Sequence, residues 1–274
     1  MTETPTPAAI EALGSPLAVH AEVHGELRST QERARELARS GAAHGTIVVA
    51  EVQRGGRGRL GRAWGSPAGG LWTSILLRPP WNAAIAARLT QTAAVAVARA
   101  LRSLGVEAEI KWPNDLLVGG RKVCGILAES SLENVPVRAK RVGPEGTDLK
   151  LDFVVLGIGL NANLDPENLA VPDREVTTVR AELGRDVPPI ELLGAILAEL
   201  EQQLDRIEDF AAVLEDWRAL NCTLGHRVRV HRFGEVLEGL AVDLNPDGAL
   251  VLHTPQGEHE LYEGEVERLR REDV

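Results

Sequence analysis

The run VVAEVQRGGRGRLGRAWGS, Val48 to Ser66, begins as a strand and ends as something else. Thr46 to Gln53 is β-branched and apolar, the composition of a buried strand. After it, Arg54, Arg57, Arg59 and Arg62 are set among Gly55, Gly56, Gly58 and Gly61. Glycine lets backbone N–H groups come close to a ligand, and arginine adds a bidentate cationic fork for carboxylate or phosphate. Such a segment cannot pack as core, so it reads as an anion-binding loop that little holds when open and that a ligand orders. A solvated basic turn and an RGG-type nucleic-acid contact are the competing readings. RGG runs usually recur in disordered tails, whereas this one is single and lies between two strands.

The second of those strands is Leu71 to Arg78 (LWTSILLR), closed by Pro79-Pro80. Upstream, Ser29 to Arg39 is a helix, with Ser29 and Glu32 as a capping box and Gly41 as its stop. Downstream, Asn82 caps a long Ala-rich helix, Ala83 to Leu104, ending near Gly105. Arg88, Gln91, Arg99 and Arg102 interrupt it, which suits a buried helix and not a membrane span. Val106 to Trp112 leads to a hairpin, Asp115 to Val118 and Arg121 to Glu129, joined by Gly119-Gly120. Extending that pairing outwards sets Leu117 opposite Lys122 and Asp115 opposite Cys124. Asn134 to Lys150 is a basic surface excursion, and Leu151 to Asn161 (LDFVVLGIGLN) a buried strand.

Ile190 to Phe210 and Ala211 to Leu220 have helical apolar spacing. The composition then changes to short strands, His226 to Arg232, Glu235 to Leu244 and Ala249 to His253, with a turn at Asn245-Pro246-Asp247-Gly248. These describe a separate small β-barrel. The expected division is a flexible tail over 1–17, a large domain over 18–222 and the barrel over 223–274.

The chain of 274 residues has 44% hydrophobic and 26% charged residues and a formal charge of -10, so broad affinity for nucleic acid or anionic membrane is not expected. Met1 to Pro16 has no Lys or Arg and resembles no signal or import segment. With two cysteines, Cys124 and Cys222, a reducing compartment and the cytoplasm are the expected setting, and Cys124 reads as a small core residue. The seven histidines have no metal-ligand spacing, and there is no Walker-type phosphate loop.

A second chemical segment is Lys111-Trp112-Pro113-Asn114-Asp115 with Arg121-Lys122-Val123-Cys124-Gly125 across the turn. Lysines at strand ends are often only solvated edges. Here Lys122 is placed to neutralise a phosphate, and Asp115 is a candidate Mg²⁺ ligand. A third is Gly157-Ile158-Gly159-Leu160-Asn161, whose alternate glycines suggest close approach by a ligand or another backbone. Ser29-Thr30-Gln31, at a helix start, reads first as capping.

Taken in order, these segments resemble the biotin protein ligases from about Ala18 to the C-terminus. The most specific stretches are Gly56 to Pro79, Lys111 to Ser130 and Val154 to Asn163; Val176 to Gly184 agrees more weakly. The resemblance implies an α+β fold: a mixed sheet flanked by helices, as in class II synthetases, with a C-terminal SH3-like β-barrel. It implies that biotin and ATP give biotinyl-5′-AMP, and that biotin then passes to a lysine of the biotin carboxyl carrier protein of acetyl-CoA carboxylase or a related carboxylase, with Mg²⁺ accompanying ATP. By motif position, Ser29, Thr30, Gln31, Gln53, Gly56, Arg57, Gly58, Arg59, Lys122 and Gly125 would meet biotin. Arg59, Arg62, Trp64, Lys111, Asn114, Asp115, Lys122 and Asn161 would serve the nucleotide, Trp64 beside adenine. Lys122, Arg57 and Arg59 would be catalytic. Many members have Asn where Gln31 stands and Thr-Ser where Thr177-Thr178 stands, and the 134–150 excursion looks longer than usual. About twenty residues precede the matching region, so a monofunctional enzyme without a DNA-binding domain is expected; a homodimer is compatible. Two alternatives stay open: a lipoate- or octanoyl-transferring relative, which differs at GRGRLGR and KWPND, and a non-catalytic nucleic-acid-binding protein.

Overall fold

A computed structural model describes residues 4–132, 151–169 and 175–269. Among these, seven strands form one sheet: β1 (His20–Leu27), β2 (Thr46–Gln53), β3 (Leu71–Leu77), β4 (Glu109–Lys111), β5 (Asp115–Val118), β6 (Arg121–Leu132) and β7 (Leu151–Leu160), in the order β1-β2-β3-β7-β6-β5-β4. The β1–β2 pair is parallel and the other pairs antiparallel, so the sheet is mixed. The helices are α1 (Pro7–Glu11), α2 (Thr30–Arg39), α3 (Ala83–Ala87), α4 (Leu89–Ser103), α5 (Val179–Leu183), α6 (Pro189–Asp205) and α7 (Phe210–Leu220). A second, antiparallel sheet holds β8 (Arg227–Arg232), β9 (Glu235–Leu244), β10 (Leu250–Thr254), β11 (Gly257–Leu261) and β12 (Glu265–Arg268), in the order β11-β10-β9-β8-β12. A helix-flanked mixed sheet followed by a small antiparallel unit is the expected architecture.

Alternation along the strands sorts side chains onto two faces. Ile47 and Val49 of β2, with Leu71, Ile75 and Leu77 of β3, join the main core against α4, while Val48, Leu76, Phe153 and Val155 pack with Ala34 and Ala38 of α2. α2 therefore covers one face, and α4, backed by α6 and α7, the other. The tail unit is fixed to the seven-stranded sheet by buried bonds. Trp112 N–H donates to Thr223 Oγ1 at 2.9 Å, its indole N–H to the Gly248 carbonyl at 3.4 Å, and Cys222 N–H to the Ile110 carbonyl at 2.9 Å.

Several expectations are corrected. The tail over 1–17 is not loose throughout: Thr6 caps α1, Ile10 is buried, and Ser15 Oγ donates to Glu201 Oε1 at 2.5 Å. β1 has no counterpart in the sequence reading, because its His, Glu and Gly residues give an edge strand no apolar alternation. The Ala83–Leu104 helix divides at Arg88 into α3 and α4, with Asn82 capping α3 as expected. Of Val106–Trp112, three residues form a strand. In the hairpin, Leu117 faces Lys122 as expected, across a turn in which Gly119 and Gly120 take φ of 55° and 82°. A bulge between Leu116 and Leu117 then shifts the register, so Asp115 faces Gly125 and not Cys124. The 134–150 excursion lies outside the described residues.

Candidate active site

The face that α2 covers changes character along β7. Phe153 and Val155 pack beneath the helix; the next two positions on that face are Gly157 and Gly159, and Gly125 of β6 pairs with Gly159. A methyl at Gly157 would sit 2.6 Å from Gln31 Oε1, and one at Gly159 2.7 Å from Trp64 Nε1. A methyl at Gly125 would lie 3.1 Å from the Trp64 ring. The close approach expected at these glycines is thus made by two side chains, Gln31 and Trp64, lying on a floor without Cβ atoms.

At the Gly157 end the polar groups are uncharged and joined in series. Ser66 Oγ accepts from Gln53 Nε2 at 2.9 Å, and Gln53 Oε1 accepts from Thr30 N–H at 2.8 Å and Thr30 Oγ1 at 3.1 Å. Thr30 Oγ1 lies 2.9 Å from Ser74 Oγ, which donates to Gln31 Oε1 at 3.0 Å; Gln31 Nε2 donates to the Val155 carbonyl at 3.0 Å. Gln53 thus satisfies the α2 N-terminus, and Ser29, at the N-cap position, makes no side-chain capping bond. The predicted capping box does not form. Ser74 and Ser66 were missed; two hydroxyls, Thr73 and Ser74, inside the otherwise apolar strand LWTSILL were the available signal.

The Gly159 end is charged. Lys122 Nζ lies 2.5 Å from Asp115 Oδ1, with side chains 12% and 13% exposed, and 4.7 Å from the Trp64 ring centroid. The Lys122 backbone is clamped: its N–H donates to the Glu175 carbonyl, and its carbonyl accepts from Thr177 N–H and Asn161 Nδ2 at 3.2 Å. Asn161 Nδ2 also reaches the Thr177 carbonyl, and its Oδ1 is buried with no partner among the described residues. Asn114 is fixed by the Ile126 carbonyl at 2.7 Å and receives Arg59 Nη1 at 3.5 Å. Burial pulls Arg59 below the usual guanidinium range, while Glu263 and Asp115 oppose that shift.

The Arg/Gly loop is tied down more firmly than its composition suggests. Bridges join Gln53 to Ser66 and Arg57 to Ala63 across its neck. Arg57 pairs with Glu32 at 2.6 Å, Arg54 with Glu26 at 2.5 Å, and Arg62 with Glu265 of β12. All the predicted site residues line one cavity of about 370 Å³ except Gly56. Gly56 is buried at the loop neck, its carbonyl accepting from Trp64 N–H at 2.9 Å. Trp64, predicted on the nucleotide side, stands mid-floor between Gly125 and Gly159. Gly264, Glu265 and Val266 of the tail also wall the cavity, a contribution that no local pattern announces.

Neither thiol belongs to this chemistry. Burial pushes Cys124 up to about 12 and Cys222 up to about 11. Iodoacetamide at pH 8 should therefore add no mass to the native chain, since the thiolate fraction is on the order of one in 10³ or less. A native-state adduct on Cys124 would contradict its placement in the core.

Residues 25–141 match the model of the biotin/lipoate A/B protein ligase family, and residues 223–269 that of the biotin protein ligase C-terminal domain. The chain is 35% identical over 246 residues to the biotin–[acetyl-CoA-carboxylase] ligase of Paracoccus denitrificans, covering 87% of this chain and 96% of that one. The chain belongs to the biotin protein ligase family. It is also 32% identical over 253 residues to the bifunctional ligase/repressor BirA of Bacillus subtilis, covering 90% of the ligase described here and 74% of that protein. The biotin protein ligase of Aquifex aeolicus, solved with biotin and ATP, superposes with a TM-score of 0.72 at 28% identity, covering 91% of this chain and 98% of that one. These likenesses identify the chain as a ligase enzyme acting with biotin and ATP. No helix among the described residues is long and apolar enough to cross a membrane.

Proposed function

We propose that the cavity forms biotinyl-5′-AMP from biotin and ATP, and that biotin then passes to a lysine of the biotin carboxyl carrier domain of a biotin-dependent carboxylase. In this reading 18–222 is the catalytic unit and 223–274 the tail unit. The observation that carries it is the polarity of the floor. Along β7 the lining runs from the neutral Thr30–Gln53–Ser74–Gln31 series at Gly157 to Lys122, Asp115, Asn114 and Arg59 at Gly159–Asn161. Four strand residues span roughly 13 Å. That suits a ligand with a neutral, doubly hydrogen-bonding ring at one end and an acyl phosphate at the other.

In the first step a biotin carboxylate oxygen bonds to the α-phosphorus of ATP, and the bond to pyrophosphate breaks. Two unit charges 4 Å apart repel by about 4 kcal/mol at an effective dielectric of 20. Lys122 and Arg59, already held in place, offset that repulsion without reorganising. In the second step an acceptor amine bonds to the acyl carbon, AMP leaves, and the new amide nitrogen loses a proton. Neither step needs a protein nucleophile, which agrees with the buried thiols. Mg²⁺ enters with the nucleotide. Asp115, which lines the cavity, is the carboxylate that would hold the ion, and the ion would supply charge neutralisation at the phosphates.

Arg57 and the glycine loop would keep water from the adenylate. Arg57→Ala is expected to release biotinyl-AMP faster while Tm stays within about 2–4 °C, because a half-exposed pair such as Arg57–Glu32 contributes little stability. Unchanged release would remove Arg57 from that role. The reading includes no role on DNA: the charge is -10, and Arg54, Arg57 and Arg62 face Glu26, Glu32 and Glu265. Incorporation of labelled biotin into a carrier domain, dependent on ATP, tests the proposal; incorporation of labelled lipoate alone would replace it.

A further inference from the structure

We infer that Glu265 of the tail competes with nucleotide phosphate for Arg62, so that it tethers the tip of the arginine loop and lowers the affinity of the cavity for ATP. This deepens the ligase reading and rests on it, since that reading puts Arg62 on the nucleotide side.

Far apart in sequence, the two residues meet through Arg62 Nη2 and Glu265 Oε2, and both line the cavity. The carboxylate has a firm base. Glu265 opens β12 and pairs with His231 of β8. A methyl at the neighbouring Gly264 would lie 2.5 Å from Val230 Cγ1, so the turn is pressed against β8. Glu263, on the other side of Gly264, attracts Arg59 and opposes the effect of burial on it. The tail turn thus brings two carboxylates to bear on two loop arginines. Arg54 and Arg57 pair instead with Glu26 and Glu32, which belong to the large domain. Arg62 also closes the loop tip, its carbonyl accepting from Gly58 N–H at 2.8 Å beside the Arg57–Ala63 bridge. Holding Arg62 therefore holds residues 58–62.

A guanidinium fork makes its full bidentate contact with one oxyanion, so phosphate gains that contact only as Glu265 gives it up. The displaced carboxylate stays nearby and repels the phosphate. The pair is nevertheless weak enough to open. Its side chains are 51% and 29% exposed, and water screens such pairs so that they contribute little. A triphosphate, with several charges, displaces one carboxylate, but binds less tightly than it would to an uncommitted arginine.

The test compares the full wild-type chain with Glu265→Gln, which keeps the shape and removes the charge. Two quantities are read: KM for ATP in pyrophosphate release, and amide hydrogen exchange over 58–62 without added ligand. KM is expected to fall about three- to fivefold, the scale of an exposed ion pair, and exchange over 58–62 to quicken severalfold. High salt should quicken the same exchange in wild type and add little in the variant. A lower KM with unchanged exchange makes Glu265 a source of repulsion alone and overturns the tether. Quicker exchange with unchanged KM overturns the competition, and a raised KM would make Glu265 a residue that serves the nucleotide. Arg62→Gln is expected to raise KM for ATP; no change there removes Arg62 from the nucleotide side, and the inference with it, while the ligase reading stands. A wild-type chain that forms no adenylate removes that reading itself.

Discussion

Lys122→Ala is expected to slow pyrophosphate release by about 10²–10³-fold, the cost of losing one preorganised donor at a developing charge. The side chain sets its ammonium between the Trp64 face and the Asp115 carboxylate. The same change takes the Lys122 ammonium away from Asp115, 13% exposed, so some stability is lost too; breaking a fully buried pair costs about 3–5 kcal/mol, an upper bound for Asp115, which also feels Arg59. The two effects separate in the double variant with Asp115→Asn. Removing the Asp115 charge as well should restore part of Tm but none of the rate. Recovery of both would make Lys122 a structural residue, and near-normal pyrophosphate release in the single variant would end its assignment.

The second large effect is expected at Gly56. A methyl there would lie 2.6 Å from both the Trp64 carbonyl and Ser66 Oγ. The first is backbone, so the loop neck must shift, and Trp64, Ser66 and the Gln53 contact shift with it. Overpacking of this kind costs about 1–3 kcal/mol in stability. A displacement of about 1 Å at reacting groups is enough for a loss on the order of 10²-fold in rate. Gly56→Ala should therefore fold, with a modest fall in Tm, and lose adenylate formation far out of proportion. A variant as active as wild type would show that the neck gives way freely.

Much of this was legible in the residues. Thr46–Gln53, the Gly119–Gly120 turn and the Lys122/Asp115 neighbourhood follow from side-chain period and turn chemistry, which are local properties. The three strong motifs also hold much of the cavity lining, though Ser29, Thr30, Gln31, Gln53 and the tail residues Gly264 to Val266 lie outside them. What was not legible depends on contacts distant in sequence. β1 is polar because it is an edge, Gly157 and Gly159 serve Gln31 and Trp64 rather than a bare ligand, and Glu265 reaches Arg62 from the other end of the chain. The bulge at Leu116–Leu117 is a packing adjustment that no dipeptide signals, yet it puts Asp115 opposite Gly125 and so beside Lys122. Gly56 has the opposite lesson: its motif is recognisable, but its duty is to let the loop neck close.

The central claim is that one cavity has a neutral recognition end at Gly157 and a charged reaction end at Lys122. A crystal structure after soaking with biotin and ATP tests it most directly. The account predicts biotinyl-AMP, with the ring nitrogens and oxygen on the Thr30–Gln53–Ser74 series and the acyl phosphate within hydrogen-bond reach of Lys122 Nζ. An adenylate lying in the reverse sense, or bound away from the floor formed by Gly125, Gly157 and Gly159, would contradict it.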